Sequence, residues 1–170
     1  MTLGPSDVYF DIESFDNDAM PTHYKGAPDA VLALDTYIKL ARSVNSMQAI
    51  LIPGLQRDFG LTESQFAVLE ALVHLGALSQ GQLCQKILRS GSNVTTVVDN
   101  LERDGLVTRE RDEADRRVQI VELTEKGRTL VGSAIPVHVQ RVSRAMQVLS
   151  PEEQRELGRL CRKLGRAIAV

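Results

Sequence analysis

The sequence predicts a mainly α-helical chain with one small β-hairpin. Three observations lead there. Beyond residue 28, apolar residues recur at helical spacing along most of the chain. In the middle, a short helix, a Ser90-Gly91-Ser92 turn and a second helix over Asn93–Asp104 follow one another. Directly after them, Leu106–Arg111 and Val118–Leu123 read as strands around a charged loop, Asp112-Glu113-Ala114-Asp115-Arg116-Arg117. Helix, turn, helix and hairpin in that order make a winged helix-turn-helix, flanked here by N- and C-terminal helices suited to dimerisation.

Each element has its own signal. Residues 1–27 mix Asp, Gly, Pro and scattered aromatics without helical period, so they are expected to form an acidic arm, partly disordered or packed onto a partner. From Asp29 to Asp58 a helix is set by Val31, Leu34, Ile38, Ala41, Met47, Leu51 and Leu55. Pro53 removes a backbone donor and is expected to kink or split it, and Gly60 to end it. Thr62-Glu63-Ser64-Gln65 is a capping box for a helix to about Leu75, with Phe66, Leu69, Leu72 and Val73 inward. Ser79-Gln80-Gly81-Gln82 is a second box, for a helix burying Leu83, Ile87 and Leu88. The next helix buries Val94, Val97, Val98 and Leu101, spaced i, i+3, i+4, i+7. Thr124 can cap a long helix to about Val148, bent near Pro136. Ser150-Pro151-Glu152-Glu153 opens the last helix, which carries a stripe of Leu157, Leu160, Leu164 and Ile168. The expected organisation is therefore an arm over 1–27 and one domain over 28–170. Within that domain the core spans 61–124, between dimerisation helices 28–58 and 125–168.

Composition narrows the function classes. No apolar run is long enough to cross a membrane, and no secretory signal is visible at the N-terminus. With only Cys84 and Cys161, at no metal-like spacing, a reduced cytoplasmic setting is expected. His23, His74 and His138 are isolated in sequence, so no metal is expected. No Walker A, GxGxxG, GxSxG or HExxH motif is present, and neither an enzyme nor a cofactor is expected. The net charge of −2 argues against nucleic acid until its distribution is read. Residues 1–20 hold five acids and no Lys or Arg, whereas eight basic residues lie from Arg128 onward. DNA feels the local field rather than the sum.

The second helix of the pair presents short polar side chains of the kind that read base edges. With the turn before it, the candidates are Ser90, Ser92, Asn93, Thr95, Thr96, Asn100 and Arg103. Asp99 is discordant there, since it repels phosphate; it is expected to pair with a nearby arginine or to accept from a cytosine amine. In the hairpin, Arg109, Asp115, Arg116 and Arg117 are the candidates. Asp115 held against one guanidinium would fix the loop and leave the other arginine free for the minor groove. Cys84 and Cys161 lie among apolar residues and are expected to be packing residues, although Arg159, Arg162 and Lys163 leave a redox role open for Cys161.

The segments Leu61–Leu69 (LTESQFAVL), Asn100–Val107 (NLERDGLV), Asp115-Arg116-Arg117 and Leu123–Gly127 (LTEKG) resemble the MarR family of bacterial transcriptional regulators. The resemblance covers about residues 29–168. It implies a dimer of winged helices that binds double-stranded DNA at a palindromic operator. Asp115 would orient the wing and Arg117 would enter the minor groove. Leu69-Glu-Ala-Leu72, Val98-Asp-Asn-Leu101 and Leu149–Glu153 are similar to the branch that responds to quinones and other hydroxylated aromatics. The expected function is a ligand-responsive repressor. Tyr37, Met47 and His74 are candidate lining residues for a small aromatic ligand, in a crevice expected between the long N-terminal helix and the winged unit. A cysteine-based redox regulator, or a winged helix used only for dimerisation, is the alternative.

Overall fold

In the computed structural model, which describes residues 24–87, 91–112 and 115–168, six helices and the two hairpin strands follow the predicted order, with a further two-residue strand before the third helix. They are α1 (Pro28–Phe59), α2 (Glu63–Leu75), β1 (Leu78–Ser79), α3 (Gln80–Ile87), α4 (Gly91–Arg103), β2 (Val107–Arg111), β3 (Gln119–Leu123), α5 (Glu125–Met146) and α6 (Pro151–Ile168). The acidic arm and Leu88 lie outside the described residues. The chain forms two compact units, 1–46 and 47–170.

The first unit contributes the N-terminal part of α1. Lys39 Nζ lies 2.8 Å from Asp35 Oδ2, one turn back, an arrangement that supports an exposed helix. Leu32, Tyr37 and Val44 are exposed on it.

The second unit holds the winged fold. Thr62 caps α2 reciprocally: Gln65 N donates to Thr62 Oγ1, and Thr62 N donates to Gln65 Oε1 at 3.0 Å. Ser79 and Gln82 repeat the device at α3, and Ser150 with Glu153 at α6. Gly60 ends α1 at φ +67°, donating its N–H to the Gln56 carbonyl in an αL cap. Leu55, Leu69, Leu83, Val94, Val98, Leu101, Val107 and Val121 meet in one core. Each buried leucine there is worth about 2–5 kcal/mol against alanine.

Three sequence expectations need adjustment. Pro53 does not split α1, which continues to Phe59; the helix forgoes only the bond to the Ala49 carbonyl that Pro53 cannot donate. As expected, α5 runs through Pro136 and ends near Val148, at Met146. Gly91 and Ser92 begin α4 instead of forming a turn, because a helix's first residues need no intrahelical donor bond. The hairpin is part of a three-stranded antiparallel sheet ordered β1-β3-β2, with Leu78 opposite Val121. A two-residue strand has too little alternation to be read from sequence.

Candidate nucleic-acid interface

The recognition helix α4 buries Val94, Val97, Val98 and Leu101 on one face, as its spacing requires. The remaining residues divide between two flanks, each repeating at i, i+4, i+7. Thr95, Asp99 and Glu102 form one; Thr96, Asn100 and Arg103 form the other. Thr95, Thr96, Asp99 and Arg103 are exposed, and Asn100 and Glu102 are half-buried. The side chains of Ser92 and Asn93, and all of Ser90, lie outside the described residues.

A tight junction fixes the C-terminal end of α4. Leu106 N donates to the Leu101 carbonyl and Gly105 N to the Glu102 carbonyl, a Schellman closure with Gly105 at φ +70°. The start of α5 then binds this turn. Thr124 N donates to the Leu106 carbonyl, Thr124 Oγ1 to the Gly105 carbonyl and Lys126 Nζ to the Asp104 carbonyl. Thr124 Oγ1 also accepts from Gly127 N and so caps α5.

The wing is closed by its own carboxylates. Asp112 N donates to the Val118 carbonyl, Asp115 N to Asp112 Oδ1 and Arg117 N to Asp115 Oδ1 at 3.0 Å. Asp115 thus orients the loop, but through the Arg117 backbone amide rather than a guanidinium. The Asp112 contribution was not foreseen; an Asx turn at the first loop position was the available signal. Arg116 and Arg117 are exposed at the tip, and among the described residues neither is ion-paired.

Arg109 is different. In β2 it alternates onto the same face as buried Val107, opposite Val121, and its side chain turns toward α4. Its Nη1 lies 2.6 Å from Asp99 Oδ1 and its Nε 2.9 Å from Glu102 Oε2, with Nη2 also on Glu102 Oε2. Asp99 therefore does pair with an arginine. Glu102, which sequence reasoning missed, is the second carboxylate; its spacing of three from Asp99 was the clue. The Arg109 hydrogen bonds hold the Glu102 carboxyl below its usual range, and Glu102 in turn raises the Arg109 pKa.

The remaining candidates belong to both units. Tyr37 belongs to the first unit and is 66% exposed. Met47 is half-buried in the second unit, and His74 is exposed in the last turn of α2. None of the three lines the shallow depression of about 460 Å³ formed by Leu106, Glu125, Lys126, Thr129, Leu130 and Ser133. Cys84 is half-buried against the core, as expected; Cys161 is exposed on α6, on a face that no other described residue covers. Among the described residues no cluster suited to a metal exists, and no helix is long and apolar enough to cross a membrane.

Comparison with known proteins agrees with this geometry. Residues 59–118 match the model of the MarR family. YkoM of Bacillus subtilis (strain 168), an HTH-type transcriptional regulator, is 36% identical over 133 residues, covering 78% of this chain and 86% of YkoM. Among solved structures, BpsR of Bordetella bronchiseptica superposes with a TM-score of 0.71 at 31% identity, over 76% of this chain and 98% of BpsR. That structure concerns regulation of BpsR DNA binding by 6-hydroxynicotinic acid. Sco3205 of Streptomyces coelicolor, a MarR family regulator solved in complex with DNA, gives 0.76 at 27% identity, over 86% and 95%. With its winged helix, its exposed recognition helix and these relatives, the chain belongs to the MarR family of transcriptional regulators.

Proposed function

We propose that this regulator is a cytoplasmic repressor that binds a palindromic operator as a homodimer and releases it on binding a hydroxylated aromatic compound. One observation carries the DNA-binding part. A polar helix face stands beside a hairpin whose tip arginines, Arg116 and Arg117, are exposed and have no ion-pair partner among the described residues. In this reading Ser90, Ser92, Asn93, Thr95, Thr96, Asn100 and Arg103 face the major groove. Arg116 contacts phosphate, Arg117 enters the minor groove, and Asp115 holds the loop for them.

The dimer is supported by uncovered apolar faces. Leu157, Leu160 and Leu164 repeat along α6, each 39–50% exposed, and α1 exposes Leu32 and Val44. Stripes of this kind seek a partner, and a second copy is the simplest. Helices 28–58 and 125–168 would supply this interface, with 61–124 as the DNA-binding core and 1–27 as an accessory arm. The ligand class is supported by the quinone-type resemblance and by the 6-hydroxynicotinic acid response of BpsR. Tyr37, Met47 and His74 are the residues proposed to meet the ligand.

The test is a mobility shift with the DNA upstream of the protein's own gene, with and without a panel of phenolics and quinones. A specific shift abolished by one of them is the expected outcome. A shift that no panel member alters would defeat the ligand reading, and no specific shift on any DNA would defeat the operator reading.

A further inference from the structure

The recognition helix carries two carboxylates where a phosphate-rich ligand should approach. Asp99 and Glu102 lie on its wing-side flank, Asp99 exposed and Glu102 half-buried. Two unopposed negative charges there would repel the DNA backbone. Both are instead held by one guanidinium from the inner face of β2, with Arg109 Nη1 2.6 Å from Asp99 and Nε 2.9 Å from Glu102. The fork geometry of arginine suits this bridge; a lysine would offer only a point charge. Arg109 is itself largely covered, its side chain 21% exposed. A guanidinium occupied on three nitrogens and turned inward has little left to offer a phosphate.

We propose that Arg109 is a positioning residue and counter-charge for the recognition helix, not a DNA contact. It cancels half of the wing-side negative charge and holds Asp99 and Glu102 back toward the protein. Base reading then falls to the opposite flank of Thr96, Asn100 and Arg103. This rests on the operator-binding reading above.

Fluorescence anisotropy of the full chain tests it, on a duplex that the wild-type protein selects from a random-sequence pool. Arg109→Gln should bind about 5- to 100-fold more weakly. Adding Asp99→Asn and Glu102→Gln to that variant should restore affinity to within about threefold of wild type or better, since the repulsion is then gone. A triple variant as weak as Arg109→Gln alone would show that Arg109 touches DNA itself and would overturn the proposal.

The double variant Asp99→Asn, Glu102→Gln keeps Arg109 and serves if Arg109→Gln fails to fold. Freeing the guanidinium should tighten binding and steepen the slope of log K against log salt by about 1. A purely structural pair would not change that slope. An unchanged slope with weaker binding overturns the inference. If the wild-type protein selects no duplex at all, the operator reading falls instead, and the two failures are distinct.

Discussion

Gly127 lies against the backbone of Leu106 so closely that a β-carbon on it would overlap the Leu106 carbonyl oxygen and come within 2.9 Å of the carbonyl carbon. The obstacle is main chain, so no side chain can swing away to make room. Gly127→Ala should therefore destabilise the fold by about 1–3 kcal/mol, although alanine ordinarily favours a helix. Chemical denaturation measures it. An unchanged midpoint would mean that the junction between α4 and α5 is more yielding than it looks.

Arg117→Ala should weaken operator binding by about 1–3 kcal/mol while leaving the melting curve unchanged. Asp115→Ala should act in the same direction by releasing the Arg117 amide. Replacing Thr96 or Asn100 should instead alter base preference, read by selecting sites from a random pool. Equal affinity in the Arg117 variant would remove the wing from the interface.

In solution the protein should have about twice its chain mass of 18.7 kDa by light scattering. Leu160→Glu together with Leu164→Glu should shift it toward the single-chain value, since both leucines are about half exposed on an otherwise uncovered stripe. A monomer at every concentration contradicts the dimer.

Acid stability should depend on Asp58. A hydrogen bond from Arg141 first, and one from Arg57 second, hold its carboxyl below its ordinary 3.8. A depressed carboxylate contributes stability above its unfolded pKa and loses that contribution as pH falls through the folded one. Arg141→Met keeps most of the apolar stem and removes the pair. The difference in Tm between wild type and variant should stay constant above about pH 5 and shrink below about pH 4. A difference that is the same at pH 3 and pH 7 would place the contribution of Arg141 in packing alone.

Ligand release should survive loss of both thiols. Cys84 is half-buried against the core, and Cys161 is exposed on α6 with no second cysteine beside it. A Cys84→Ser, Cys161→Ser double variant should still leave DNA when the aromatic inducer is added. Normal DNA binding with no response would make oxidation the trigger.

The reading from sequence was best where physics is local. Three capping boxes at Thr62, Ser79 and Ser150, and the caps at Gly60 and Thr124, put the helix ends within a few residues of their places. Such signals need only neighbours three or four residues apart. Contacts between distant segments were harder. Arg109 looked like one more basic residue in the wing, yet it answers two carboxylates seven and ten residues back. Its register with Val107 encoded the inward turn, but the partner face could be chosen only once the hairpin was placed against α4. The ligand candidates had weaker grounds. Tyr37, Met47 and His74 share only a chemical type suited to an aromatic ligand, with no spacing to join them.

The bonds between the start of α5 and the end of α4 bear on how such a protein diverges. All three that reach the turn accept on main-chain carbonyls, at Asp104, Gly105 and Leu106. A carbonyl is present whatever the side chain, so Asp104 is free to drift through its neutral neighbours while the attachment persists. Identity matters at only a few positions. They are Gly105 for its left-handed backbone, Thr124 and Lys126 for their donors, and Gly127 for its missing β-carbon. Lineages that rewrite the base-reading face of α4 to serve new operators can therefore inherit the articulation with α5 unaltered. Recognition and the mechanical link to the rest of the regulator can evolve on separate schedules.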